Sequence, residues 1–146
     1  MKKIICLVFV ILSILSCLTA CSFLSNITNK IENNAESKPK IEEMMSLLAE
    51  NRISDAKNLL HPEANENANE SLEQIASYIN GRNAGSMKLT NINISSSTGT
   101  SGKTRQEQVT YQVTLTDGEI VSLNTIYLSN KAGNGFISIQ LALGTS

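Results

Sequence analysis

The chain is 146 residues long, with 12 lysines and arginines, 13 aspartates and glutamates, and a formal net charge of −1. That balance argues against a nucleic-acid partner, which demands a clustered basic surface. The length fits one globular domain large enough to bury a core.

In chain order the first element is an export signal. Lys2 and Lys3 form a basic start, and an apolar run follows from Ile4 to about Leu18. Small residues then lead up to Cys21. A positive start, a short apolar stretch and small residues at the cut are the pattern of a secretory signal. The run is shorter than the roughly 20 residues that span a bilayer comfortably.

Leu18-Thr19-Ala20-Cys21 resembles the lipobox of bacterial lipoproteins, an aliphatic residue and two small ones before a cysteine. The resemblance implies a diacylglyceryl group on the Cys21 thiol and cleavage just before it by signal peptidase II. The mature chain is then expected at the cell membrane, held by its lipid and facing outside the cytoplasm. A rival site, Ile14-Leu15-Ser16-Cys17, places the bulky Leu15 where small or β-branched side chains are favoured, so Cys21 is the better candidate. The plainer alternative is an uncleaved N-terminal anchor helix. Removal of residues 1–20 takes Lys2 and Lys3 with it, leaving ten basic and thirteen acidic side chains, a net −3. Cys6 and Cys17 leave too, and Cys21 carries lipid. No thiol is left for a disulfide, a metal site or a nucleophile.

Residues 21–39 read as the lipidated N-terminus and a polar tether, rich in Asn, Ser, Lys and Glu. Phe23, Ile27 and Ile31 recur every four residues, which leaves open a short interfacial helix beside the lipid. Pro39 disfavours helix at Lys38 and is expected to open the next one.

The domain is expected over 40–146. Ile41, Met44, Met45 and Leu48 fall at i, i+3, i+4 and i+7 and predict the first helix. Ile53, Ala56, Leu59 and Leu60 predict a shorter one, capped near Ser54 and closed before His61-Pro62. Asn67 and Glu70 resemble a capping box for a third helix carrying Leu72, Ile75, Ala76 and Ile79, with Gly81 at its C-terminal cap.

At Gly85 the period turns alternating. Met87 and Leu89 have opposite parity to Ile92 and Ile94, which predicts a bulge near Thr90-Asn91. Ser95–Gly102 is a Ser/Gly-rich run read as a flexible connection. The second strand points Val109, Tyr111, Val113 and Leu115 inward, and Asp117-Gly118 predicts a two-residue hairpin turn. The third strand, about Glu119–Ser129, is expected to slip parity between Val121/Leu123 and Ile126/Leu128. The fourth carries Ile137, Ile139, Leu141 and Leu143 on one face.

The expected class is therefore α+β, three N-terminal helices packed on a curved four-stranded antiparallel sheet. That order, with the opening run Leu47–Ala56 through Leu59-Leu60-His61-Pro62, resembles the cystatin-like cone of the nuclear-transport-factor-2-like superfamily, including small lipoproteins of single-membrane bacteria. The resemblance implies that any enzyme of this kind would hold its ligand between helices and sheet. Tyr78, Tyr111, Tyr127 and nearby acids are then the candidates.

The residues themselves give no catalytic constellation. His61 is the sole histidine and is expected to meet the last helical carbonyls beside it. Glu107 is placed toward the frayed end of its strand, and Asp117 belongs to a turn. No carboxylate is expected in the middle of an apolar strand face, where a general base would gain a raised pKa. Glu63, Glu66, Glu70 and Glu73 lack the spacing of a calcium loop and read as a solvated face. Met44 and Met45 read as core rather than as an adaptable binding surface. The expectation is a non-catalytic binding module with no cofactor or metal. It meets the membrane through the lipid on Cys21 and a protein or small molecule of unknown identity. The alternatives are a small pocket-based hydrolase or isomerase, or a defence, immunity or conjugation-associated lipoprotein.

Overall fold

The computed structural model describes residues 35–100 and 102–143. The expected export signal, Cys21 and residues 21–34 of the expected tether, with its interfacial helix, lie outside the described residues. Residues 37–39 of that tether are instead the start of the first helix, with Ser37 buried, so the folded domain begins before residue 40. Among the described residues no helix is long and apolar enough to cross a membrane.

Helices α1 (Ser37–Ala49), α2 (Ile53–Lys57) and α3 (Glu66–Ile79) precede strands β1 (Ala84–Gly99), β2 (Gly102–Leu115), β3 (Ile120–Asn130) and β4 (Gly133–Leu143). The strands form one antiparallel sheet in the order β1-β2-β3-β4, so the class is α+β. The apolar stripe of α1 is buried at Ile41, Met44, Met45 and Leu48. That of α3 is buried at Leu72, Ile75, Ala76 and Ile79. These side chains share one core with Val109, Tyr111, Val113 and Leu115 of β2, Val121, Leu123 and Tyr127 of β3, and Phe136 and Ile139 of β4. Met44 and Met45 are plain core, as their spacing predicts.

The predicted bulge in β1 is present. Leu89 faces Tyr111 while Asn91 faces Thr110, so Thr90 is the extra residue. It lets Met87, Leu89, Ile92 and Ile94 all face the core side across from Val113, Tyr111, Val109 and Glu107.

Several expectations need correction. Lys38 is helical despite preceding Pro39, because α1 starts at Ser37 and is capped from β2: the Glu36 and Ser37 amides donate to Glu107. Pro39 then sits in the first turn, where its missing N–H is one of the unpaired donors anyway. The cap of α3 is Asn65, whose Oδ1 accepts from the Ala68 amide at 3.2 Å, and Asn67 lies inside the helix. Asn80 takes the left-handed C-cap position (φ 45), with Gly81 just after it. Helix α2 has no side-chain cap and ends at Lys57, before Leu59 and Leu60.

The described part of the Ser95–Gly102 run is mostly strand rather than a loose loop. Residues 95–99 continue β1, pairing with β2 out to Gly99↔Gly102. The β2–β3 connection is wider than two residues, spanning 116–119, with Gly118 at φ 90 and the Asp117 carboxylate accepting from the Glu119 amide. β3 keeps one parity throughout, with Thr125 and Tyr127 inward after Val121 and Leu123. The irregularity belongs to β4, where Ile126 faces Ser138 but Tyr127 faces Phe136, leaving Ile137 as the extra residue. The inward residues of β4 therefore include Phe136, which simple alternation from Ile137 misses.

Candidate functional site

An open groove of about 450 Å³ runs between α3 and the end of β4. Ser71, Gln74, Ile75 and Tyr78 form the helical wall, and residues 140–143 form the strand wall. The helical spacing 71, 74, 75, 78 presents one face of α3. Because β4 is an edge strand, its wall offers backbone groups as well as the Leu141 and Leu143 side chains.

One end of the groove is held by a polar network. The Tyr78 hydroxyl donates to Glu119 Oε1 at 2.6 Å. Arg82 Nη1 donates to Glu119 Oε2 at 2.5 Å and to Asp117 Oδ2 at 2.7 Å. Its Nη2 and Nε donate to the Tyr78 and Ile79 carbonyls, and its guanidinium lies 5.4 Å from the Tyr78 ring centroid. The end of α3 is thereby fixed to the β2–β3 hairpin. The Tyr78 hydroxyl is pushed up by its hydrogen bond to Glu119 and by partial burial. Glu119 is pulled down by Tyr78 and Arg82, and Asp117 by Arg82. At neutral pH the network is thus a neutral phenol, two carboxylates and a guanidinium, all committed to one another.

The other residues singled out by sequence divide sharply. Glu107 is fully buried and lies in the run of inward side chains with Val109, Tyr111, Val113 and Leu115. Its placement at a frayed strand end is therefore wrong, although it stands at the end of the apolar inward run and not in its middle. Its two oxygens accept from the Glu36 and Ser37 amides at 3.1 and 3.0 Å, and Arg105 donates to it at 2.8 and 2.7 Å. Burial works against ionisation, but the hydrogen bonds from Ser37, Arg105 and Glu36 outweigh it and hold this carboxyl below the usual glutamate range. Glu107 is a cap for α1 supplied from β2.

His61 is 2% exposed, and it meets the β3–β4 hairpin rather than helical carbonyls. Nδ1 accepts from the Glu63 amide at 3.0 Å, which assigns the proton to Nε2, facing Asn130 Oδ1 at 3.1 Å and the Gly133 carbonyl at 3.2 Å. Residues 59–61 cross the start of β4, with the His61 amide donating to the Phe136 carbonyl and the Phe136 amide to the Leu59 carbonyl.

Tyr111 and Tyr127 are buried in the core, Tyr127 edge-on to Phe136 at 5.1 Å, and neither lines the α3–β4 groove. Burial, with the Glu36 and Glu107 charges, pushes the Tyr127 phenol up. Of the acids considered for calcium, Glu73 pairs with Lys57 and Glu63 accepts from Asn130. Among the described residues no three His, Cys, Asp or Glu side chains gather as a metal site.

No family model, curated protein or solved structure matches the chain.

The groove is consequently read from its own side chains. Hydroxyl, amide and aliphatic groups can hold an uncharged ligand along its length. The charged groups at its end are already paired. The sequence singled out Tyr78 but not Ser71, Gln74 or Gln140, whose polar side chains are indistinguishable from solvated surface until α3 lies beside β4. Glu107 had a readable signal: it continues the inward parity of Val109 and Tyr111 by one step.

Proposed function

We propose that the chain is a lipoprotein anchored through Cys21 to the outer face of the cell membrane, whose α+β domain is a non-catalytic binding module of cystatin-like cone type. The observation that carries the binding reading is the open, uncharged groove between α3 and the free edge of β4. The commitment of Glu107, His61 and Glu119 to structural hydrogen bonds supports binding over proton-transfer chemistry. The order of helices before a meander, with the β1 bulge at Thr90, supports the cone. The Leu18-Thr19-Ala20-Cys21 motif supports the anchor, which would confine the module to a plane and raise its effective concentration toward membrane neighbours.

Native mass spectrometry of the full chain released gently from membranes of its own host tests this reading. The expected result is a discrete added mass that disappears in Gln74→Arg, an exposed change on the groove wall. A bare chain in both forms counts against a binding module.

A further inference from the structure

His61 is the chain's single histidine, and it is buried where the 59–61 crossing meets the β3–β4 hairpin. A brace at this point needs one donor and one acceptor, which a glutamine also supplies. What histidine adds, as a residue type, is a second proton within reach of about pH 5 to 8. The surroundings of the ring are unequal toward that proton. Nε2 carries its hydrogen toward two acceptors, Asn130 Oδ1 and the Gly133 carbonyl, and keeps both whatever the charge of the ring. Nδ1 instead accepts from the Glu63 amide at 3.0 Å, a bond that exists only while Nδ1 is bare. Oε2 of the same Glu63 stands 3.9 Å from Nδ1, just beyond hydrogen-bond reach, on a side chain that is 57% exposed. That Oε2 meanwhile accepts from Asn130 Nδ2 at 3.3 Å, and Asn130 Oδ1 takes the Ala132 amide at 2.8 Å, which shapes the turn. Glu63 can therefore serve the ring in either form, by its amide or by its carboxylate. Lys131 is the other charged group at this corner among the described residues, and it lines with Glu63, Thr104, Asn130 and Ala132 a hollow of about 400 Å³. Asn130, Gly133 and Phe136, which meet the 59–61 segment from β3 and β4, are uncharged.

We propose that His61 and Glu63 form a proton-driven switch that loosens the β3–β4 turn on acidification. When Nδ1 takes a proton from solvent, two N–H groups face one another and the Glu63 amide is released. The Glu63 carboxylate swings to the new Nδ1–H, where a charge-assisted hydrogen bond replaces the neutral one. In moving it leaves Asn130 Nδ2, so the side chain that holds the Ala132 amide loses one of its own ties. The hollow changes with it. While the ring is neutral one carboxylate and one ammonium line it, and after the switch the carboxylate belongs to the ring and Lys131 is left facing the space. The proton returns to solvent when the pH rises, and the turn closes again. This corner lies at the start of β4 and the α3–β4 groove at its end, so switch and groove are testable apart.

Solvent-exchange NMR on the full chain in detergent micelles tests the proposal, and a single histidine makes the ring signals unambiguous. Spectra are compared at about pH 8 and about pH 5. The ring nitrogen signals should show that the bare Nδ1 is lost at the lower pH. Protection of the Glu63 amide, corrected for the intrinsic pH dependence of exchange, should fall roughly tenfold, the weight of one net hydrogen bond. The Asn130 side-chain amide should lose protection with it, while the His61 and Phe136 amides, which tie the crossing to β4, keep theirs. In Glu63→Ala, a change at an exposed side chain, the response of the residue-63 amide should remain and that of the Asn130 side chain should disappear, because no carboxylate is there to leave it. In His61→Gln both responses should disappear. If that variant does not fold, the parent chain and Glu63→Ala decide alone. A ring that stays neutral at about pH 5, a protonated ring with unchanged protection at Glu63, or an Asn130 response that survives Glu63→Ala each overturns the switch.

Discussion

Glu107 makes the strongest single-residue commitment in the molecule. A carboxylate is expensive to bury, yet this one sits at zero exposure because three hydrogen bonds and a further ion-pair contact from Arg105 reach it. Two come from the backbone start of α1, where the helix dipole also favours negative charge. Breaking a buried ion pair by removing one partner costs about 3 kcal/mol or more, so Glu107→Ala should lower the urea unfolding free energy by about that amount. Glu107→Gln should lose less, since one amide oxygen still accepts. The pH dependence has a definite sign. The folded-state pKa of Glu107 is depressed, so its stabilisation is complete above the unfolded value of about 4.3 and is lost as pH falls through the lower folded value. Urea midpoints followed from pH 7 down to pH 3 should fall more steeply in the parent chain than in Glu107→Gln. Parallel curves would place the acid sensitivity elsewhere.

At the scale of elements, the crossing of residues 59–61 over β4 makes a sharper demand than any helix. A Cβ added at Gly135 would lie 2.5 Å from the His61 amide nitrogen and 2.6 Å from the Leu60 carbonyl carbon. Backbone cannot yield as a side-chain tip can. Gly135→Ala should therefore destabilise the fold by roughly 2 kcal/mol, in the overpacking range, and raise amide exchange at His61 and Phe136 together. Asn65→Ala, removing the only local side-chain cap observed on α3, should cost about 1 kcal/mol by chemical denaturation. The Asn65 cap is local in the sequence, whereas the close approach at Gly135 joins segments far apart in it. The stripes of α1 and α3, the inward face of β2 and the bulge at Thr90 follow from spacing alone and are present in the structure. Asn65 was legible in principle, but Asn67 with Glu70 offered a more complete capping pattern two residues later, and the helix starts at the simpler cap. The roles of Gly135, His61 and Glu107 depend on partners about 70 positions away. No window of the sequence holds both halves of those contacts. The groove was illegible for the same reason: its two walls, Ser71–Tyr78 and residues 140–143, are separated by the whole meander.

For the whole molecule the decisive property is where it resides, and charge and lipid make different predictions about it. If residues 1–20 are removed as proposed, the remaining chain carries a net −3 and has no electrostatic reason to adhere to an anionic membrane surface. Two acyl chains on Cys21 would hold it firmly, whereas a single chain gives only marginal, reversible binding. The chain should therefore stay with the membrane fraction through a high-salt wash, and Cys21→Ser should release it or leave it as an uncut precursor. Inhibition of signal peptidase II should likewise leave a form longer by residues 1–20. Cys17→Ser should change neither outcome, since Leu15 makes the upstream site the poorer one. If Cys17→Ser, and not Cys21→Ser, blocked processing, the cut would lie four residues earlier. If neither substitution altered size or membrane association, the apolar run Ile4–Leu18 would itself be the anchor. The domain would then stand on a helix rather than a lipid, a difference that mass spectrometry of the membrane-bound chain reads directly from the presence or absence of acyl mass on Cys21.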